Sequence, residues 1–133
     1  MAENGLVTIA SHHSVKATID RLEASLGAKD ITVFARIDHA GGAESVGLEL
    51  RPTELLIFGH ARGGTGLMQS RQTIGIDLPL KALAWEDEGG QVWLTYNDLG
   101  WLAARHDLAI AVAPAVDALG NGLAALAAAA AAA

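Results

Sequence analysis

The clearest periodicity in the chain runs from Val15 through Ile19 and Leu22 to Leu26, in steps of four, three and four residues. Lys16, Asp20, Arg21 and Glu23 fill the positions between. Apolar side chains at that spacing share one stripe of an α-helix and leave the charges on the solvent side. Ser14 offers an N-cap hydroxyl, and Gly27 offers a residue for the left-handed C′ position. On either side the period falls to two. Residues 5–11 (GLVTIAS) form a first strand. In residues 31–39, Ile31, Val33, Ala35 and Ile37 alternate with Thr32, Phe34, Arg36 and Asp38, the pattern of a second.

After a turn at 40–42, residues 43–50 read as a short helix stopped before Pro52. The run TELLIFG at 53–59 is continuously apolar in its middle, which predicts a central strand. Residues 59–66 read as a glycine-rich loop, and 67–73 as a short helix or irregular segment. Residues 78–87 and 91–97 are two further strands joined by a turn at Glu88-Gly89-Gly90. Asp98 caps a last helix through Trp101 and Leu102 to about His106.

The fold class that follows is α+β: strand, helix, strand, then three strands and a helix. Composition changes this picture little. The 51% apolar content and mean hydropathy of +0.30 owe much to the last 26 residues, of which 21 are apolar and most are alanine. Alanine buries little area, and Pro114, Asp117, Gly120, Asn121 and Gly122 interrupt the run, so this segment is a poor membrane span. The chain therefore reads as one α+β domain at 1–108 followed by an alanine-rich extension at 109–133, either helical or frayed. Met1-Ala2-Glu3-Asn4 lacks the basic and apolar regions of a signal peptide, which predicts a cytoplasmic protein without membrane attachment. Nine basic against 15 acidic residues, a net charge of -6, argue against nucleic-acid binding. The absence of cysteine removes disulfides, thiolate metal sites and a cysteine nucleophile.

Five segments together resemble the bacterial "domain of unknown function 302" family. They are Ser11-His12-His13-Ser14-Val15; Glu49 to Gly59 (ELRPTELLIFG); Gly64-Thr65-Gly66-Leu67-Met68; Asp77-Leu78-Pro79-Leu80-Lys81; and Val92 to Asp98 (VWLTYND) followed by Leu102, Arg105 and His106. The likeness covers roughly residues 5 to 108. It departs from the family at His60-Ala61, where Asn-Pro is usual, and at Gly66, where proline is frequent. The resemblance implies a curved, mostly antiparallel sheet with helices on one face, as in TATA-binding-protein-like folds, and a homodimer. It implies no particular activity or cofactor. A fold shared with a DNA-binding protein carries no DNA binding with it.

Candidate chemistry rests on histidine. His12 and His13 follow the first strand, His39 ends the second, His60 ends the third and His106 closes the last helix. If the first helix and residues 43–50 are both crossovers, His13, His39 and His60 meet at one end of the sheet; if the second is not, His60 falls at the opposite end. With Asp38 or Asp77 such a cluster could hold a metal or supply a general base, although no metal motif is met. The 59–66 loop with Arg62 could cradle an anion but lacks the lysine of a P-loop and the dinucleotide fingerprint. Asp77 and the turn Tyr96-Asn97-Asp98 suit structural roles. Trp85 and Trp93 suit a cross-strand pair or a dimer surface. The expectation is a pocket for a small polar or anionic ligand formed by His13, His39, His60, Arg62 and Asp77. The alternatives are a histidine- or metal-assisted enzyme and a dimeric interaction module.

Overall fold

The computed structural model describes residues 4–133; Met1–Glu3, part of the stretch read for a signal peptide, lie outside the described residues. Five strands form one sheet: β1 (Leu6–Ser11), β2 (Thr32–Asp38), β3 (Thr53–Gly59), β4 (Leu80–Glu86) and β5 (Val92–Asn97). Their order across the sheet is β1-β5-β4-β3-β2, and all four pairings are antiparallel. The α+β class holds, with the sheet antiparallel throughout.

Helix α1 (Val15–Ala28) forms where its stripe predicts, and Ser14 Oγ accepts a hydrogen bond from the Ala17 N–H at 3.0 Å. Its end differs. Gly27 stays inside the helix, and the left-handed residue is Asp30, with φ 55°. The Ile31 N–H returns to the Leu26 carbonyl at 3.0 Å, closing the terminus as a Schellman turn does. Helix α2 (His39–Ser45) starts directly after β2 rather than after a turn, because the Asp38 carboxylate caps the Gly41 N–H at 2.9 Å. The short connection then makes β3 antiparallel to β2.

The glycine-rich segment is a helix, α3 (Ala61–Ser70), followed by a 3-10 turn at Gln72–Asp77 and a cis Leu78–Pro79 peptide. Helix α4 (Leu99–Arg105) is capped by Asp98, which accepts from Gly100 and Trp101. The alanine-rich residues form α5 (Ala113–Ala131). This helix is long and apolar enough to cross a membrane by composition, yet it is folded onto the rest of the chain. Val116, Leu123, Leu126, Ala127 and Ala130 join Val15, Ile19, Leu22 and Leu26 of α1 in one buried cluster with Leu56, Phe58, Ala82, Ala84 and Leu94 of the sheet. Residues 109–133 therefore pack into the same core as residues 1–108. Arg21 on α1 fastens the end of α5 by donating to the carbonyls of Ala129 and Ala130 at 2.9 and 3.0 Å. A cation at a helix C-terminus meets carbonyls that have no intrahelical partner.

Candidate functional site

Four antiparallel pairings make β1 and β2 point the same way, but they are the two edge strands. Their C-terminal ends are about four strand spacings apart, roughly 19 Å. β3 runs the other way, so His60 leaves at the opposite end of the sheet. The five expected residues therefore do not meet in one pocket. His13 Nε2 pairs with the Ala132 carbonyl at 2.6 Å, holding the end of α5. His39 opens α2 and is exposed. Arg62 is exposed in the first turn of α3. Asp77 is engaged elsewhere, and only His60 lines the cavity described below.

That cavity, of about 240 Å³, lies beside α3, the Leu78–Pro79 bend and α5. Its walls are mainly Phe34, Met68, Leu78, Pro79, Leu80 and Leu119, and His60 and Thr65 bring the polar side chains. Met68 packs closely over Gly75: a Cβ there would stand 3.1 Å from the Met68 sulfur, which would have to give by a few tenths of an ångström. His60 is the N-cap of α3 in an extended conformation and makes no side-chain cap hydrogen bond. The first amide to bond back is that of Gly64, to the His60 carbonyl at 3.1 Å. The N–H groups of Ala61, Arg62 and Gly63 precede it and have no intrahelical acceptor; of these residues Ala61 lines the cavity, which puts the positive end of the helix dipole at this rim. A broader groove, of about 800 Å³, runs between α2 and residues 48–54, but its walls include the exposed Leu48, Glu49, Leu50 and Arg51.

Asp77 anchors a separate network. Arg105 donates to both carboxylate oxygens at 3.0 Å, His106 Nε2 lies 2.5 Å from Oδ2, and His106 Nδ1 lies 3.0 Å from the Thr73 hydroxyl. Hydroxyl, imidazole and carboxylate stand in series, the order of a proton relay. Asp77 and His106 are largely buried, Thr73 is exposed, and none of the three lines the 240 Å³ cavity. The network ties the 3-10 turn to the end of α4 and thereby fixes the cavity's Leu78–Pro79 wall. Among the described residues, no group of three or more His, Asp or Glu is placed to hold a metal ion. Phe34 and Leu119 were not legible as cavity residues from sequence. Phe34 falls at an irregularity in the β2–β3 register, and Leu119 lies on a helix whose docking no local pattern reports.

The profile of "Domain of unknown function DUF302" matches residues 7–126. The chain belongs to this DUF302 family. A crystal structure of an uncharacterized conserved DUF302 protein from Bacillus stearothermophilus superimposes with a TM-score of 0.80, covering 92% of this chain and 94% of that one at 19% identity. At that identity the likeness is one of fold. Two relatives are 52% identical over 120 residues. One is the "Fluoride-specific ion channel FluC 1" of Brucella suis biovar 1 (strain 1330). The other is the "Fluoride-specific ion channel FluC 2" of Brucella melitensis biotype 1 (strain ATCC 23456 / CCUG 17765 / NCTC 10094 / 16M). The matches cover 90% of the DUF302 chain but 47% and 44% of those relatives, so this chain spans less than half of their length.

Proposed function

We propose that this DUF302 protein is a cytoplasmic domain that binds a small ligand in the cavity beside α3. The observation that carries the reading is the 240 Å³ cavity with apolar walls and one polar rim. An apolar cavity of about 150 Å³ takes benzene. The size supports a ring or short chain with one substituent, rather than a nucleotide. The polar or anionic end of such a ligand meets the first turn of α3, where unpaired amides, His60 and Thr65 stand together. The apolar part fills the space between Met68, Leu78 and Leu119.

Thermal unfolding in the presence of benzoate, hexanoate, benzyl alcohol and indole tests this. A ligand present at 100 times its Kd stabilises by about 2.7 kcal/mol, or roughly 10 °C in a domain of this size. The acids should outperform benzyl alcohol and indole. The increment should disappear in Thr65→Trp, whose side chain occupies the mouth. If none of the four raises Tm, the reading fails.

The Brucella relatives support a second reading. A homologous domain lies within chains named fluoride channels, which supports a role for this domain alongside such a channel. Deletion of the gene should then raise sensitivity to sodium fluoride; growth unchanged across a fluoride series would count against it.

A further inference from the structure

Thr73, His106 and Asp77 hold more chemistry than the tie between the 3-10 turn and α4 requires. Arg105 fixes the Asp77 carboxylate by two contacts at 3.0 Å, and an ionised carboxylate offers only acceptors. His106 Nε2, 2.5 Å from Oδ2, therefore carries the hydrogen between them. In a neutral imidazole this leaves Nδ1 with a lone pair and no proton. The 3.0 Å contact at Nδ1 then has one polarity: the Thr73 hydroxyl donates and the ring accepts. We propose that Thr73 is a nucleophile for acyl transfer from small carboxylic esters, with His106 as its general base. Asp77 and Arg105 are positioning residues that hold the ring and its tautomer. The ring nitrogens are exchanged relative to the serine-protease triad, where Nε2 faces the nucleophile. The chemistry asks only that one nitrogen accept while a carboxylate holds the other.

Placement supports the assignment. Thr73 is exposed, whereas the imidazole and carboxylate behind it are largely buried. Solvent-borne substrate reaches the hydroxyl, and both nitrogens of the base are already engaged within the protein. A structural tie needs no such hydroxyl, because water replaces an exposed hydrogen bond at little cost. The substrate class follows from the neighbouring side chain. In a 3-10 helix residues i and i+3 eclipse one another, so Ile76 stands beside Thr73 along Gln72–Asp77. Ile76 is 75% exposed and gives an apolar acyl or aryl group a surface to lie on. The step balances without a cofactor. Thr73 Oγ1 attacks the ester carbonyl carbon as its proton passes to His106 Nδ1. The bond from that carbon to the alcohol oxygen breaks, and the imidazolium returns the proton to the departing oxygen. Water then attacks the acyl-threonine, again giving a proton to Nδ1, and the Thr73 oxygen leaves with it.

Incubation of the full chain with p-nitrophenyl acetate tests the proposal. Peptide mapping by mass spectrometry should find an acetyl ester on Thr73. A positioned general base contributes about 10²-fold or more, so this ester should form about that much faster than one on Thr32, an exposed threonine opening β2. Thr73→Ser should keep the label, and Thr73→Ala should remove it with far-UV circular dichroism unchanged. His106→Gln should bring Thr73 down to the rate of Thr32. Should His106→Gln fail to fold, the ratio of Thr73 to Thr32 in the unaltered chain decides the matter. Acetyl groups on other side chains with none on Thr73, or a Thr73 that reacts no faster than Thr32, overturns the proposal. So does a folded His106→Gln variant that labels Thr73 at the original rate.

Discussion

Replacing Gly66 by alanine separates a helix from a loop at the edge of the cavity. Gly66 lies inside α3, its φ is not in the left-handed region, and a Cβ there would meet nothing within 4 Å. Neither strain nor collision opposes the substitution. What remains is the backbone freedom that glycine surrenders on entering a helix, about 0.8–1.0 kcal/mol relative to alanine. Gly66→Ala should therefore stabilise the protein by about 1 kcal/mol, or roughly 4 °C in Tm, with the urea m-value unchanged. Gly5→Ala is the opposite case. Gly5 has φ 77°, and its Cβ would overlap the Trp101 ring. That variant should lose about 2–4 kcal/mol through left-handed strain and overpacking. Urea unfolding of the three proteins side by side measures both effects. A neutral or destabilising Gly66→Ala would mean that residues 61–70 are not helical in solution, and the amide-lined rim of the cavity would go with them.

Other consequences are equally direct. Phe58 is 1% exposed at the centre of the core, and Phe58→Ala should cost about 3–5 kcal/mol in chemical denaturation. Thr18 is fully buried with its hydroxyl 2.6 Å from that of Ser11; Thr18→Val removes the bond and should cost about 1–2 kcal/mol by the same assay. Arg21→Ala should speed amide exchange in the last turn of α5, with little change at Val116, because only the C-terminal carbonyls lose their donor. Asp20 and Asp87 both titrate below the usual carboxylate range: Asp20 through hydrogen bonds from Lys16 and then Arg36, Asp87 chiefly through the Trp93 indole. Groups depressed in the folded state bind more protons when unfolded. Their stabilisation is thus complete above the ordinary aspartate pKa of about 4 and fades as pH falls below it. Melting curves between neutral and acid pH should show that loss, and Asp87→Asn should make it shallower.

Much of the fold could be read from the chain because its signals are local. The stripe from Val15 to Leu26 and the alternation in β2 specify their elements without reference to anything distant. The errors share a different cause. Three glycines among residues 63–66 suggested a loop, since each lowers helix propensity. Packing of Leu67 into the core and closure of α3 against α5 outweigh that penalty. Alanine in α5 gives no contrast between faces, so the core positions Val116, Leu123 and Ala127 are invisible in the pattern. The site was harder still. Strand-end histidines converge only if the connections cross over, and a single capping carboxylate at Asp38 turns the second connection into a short reversal. His60 ends up alone at the far end, beside apolar walls whose members come from four separate parts of the chain.

The central claim, that the cavity beside α3 takes a small ligand by its apolar body and polar end, is met most directly by amide chemical-shift mapping. With isotope-labelled protein and benzoate, the account predicts saturable shifts concentrated at Gly59, Ala61, Gly64 and Thr65, and on Leu119 across the cavity. Shifts confined to residues 48–54 along the other groove, or none at all at saturating benzoate, would contradict it.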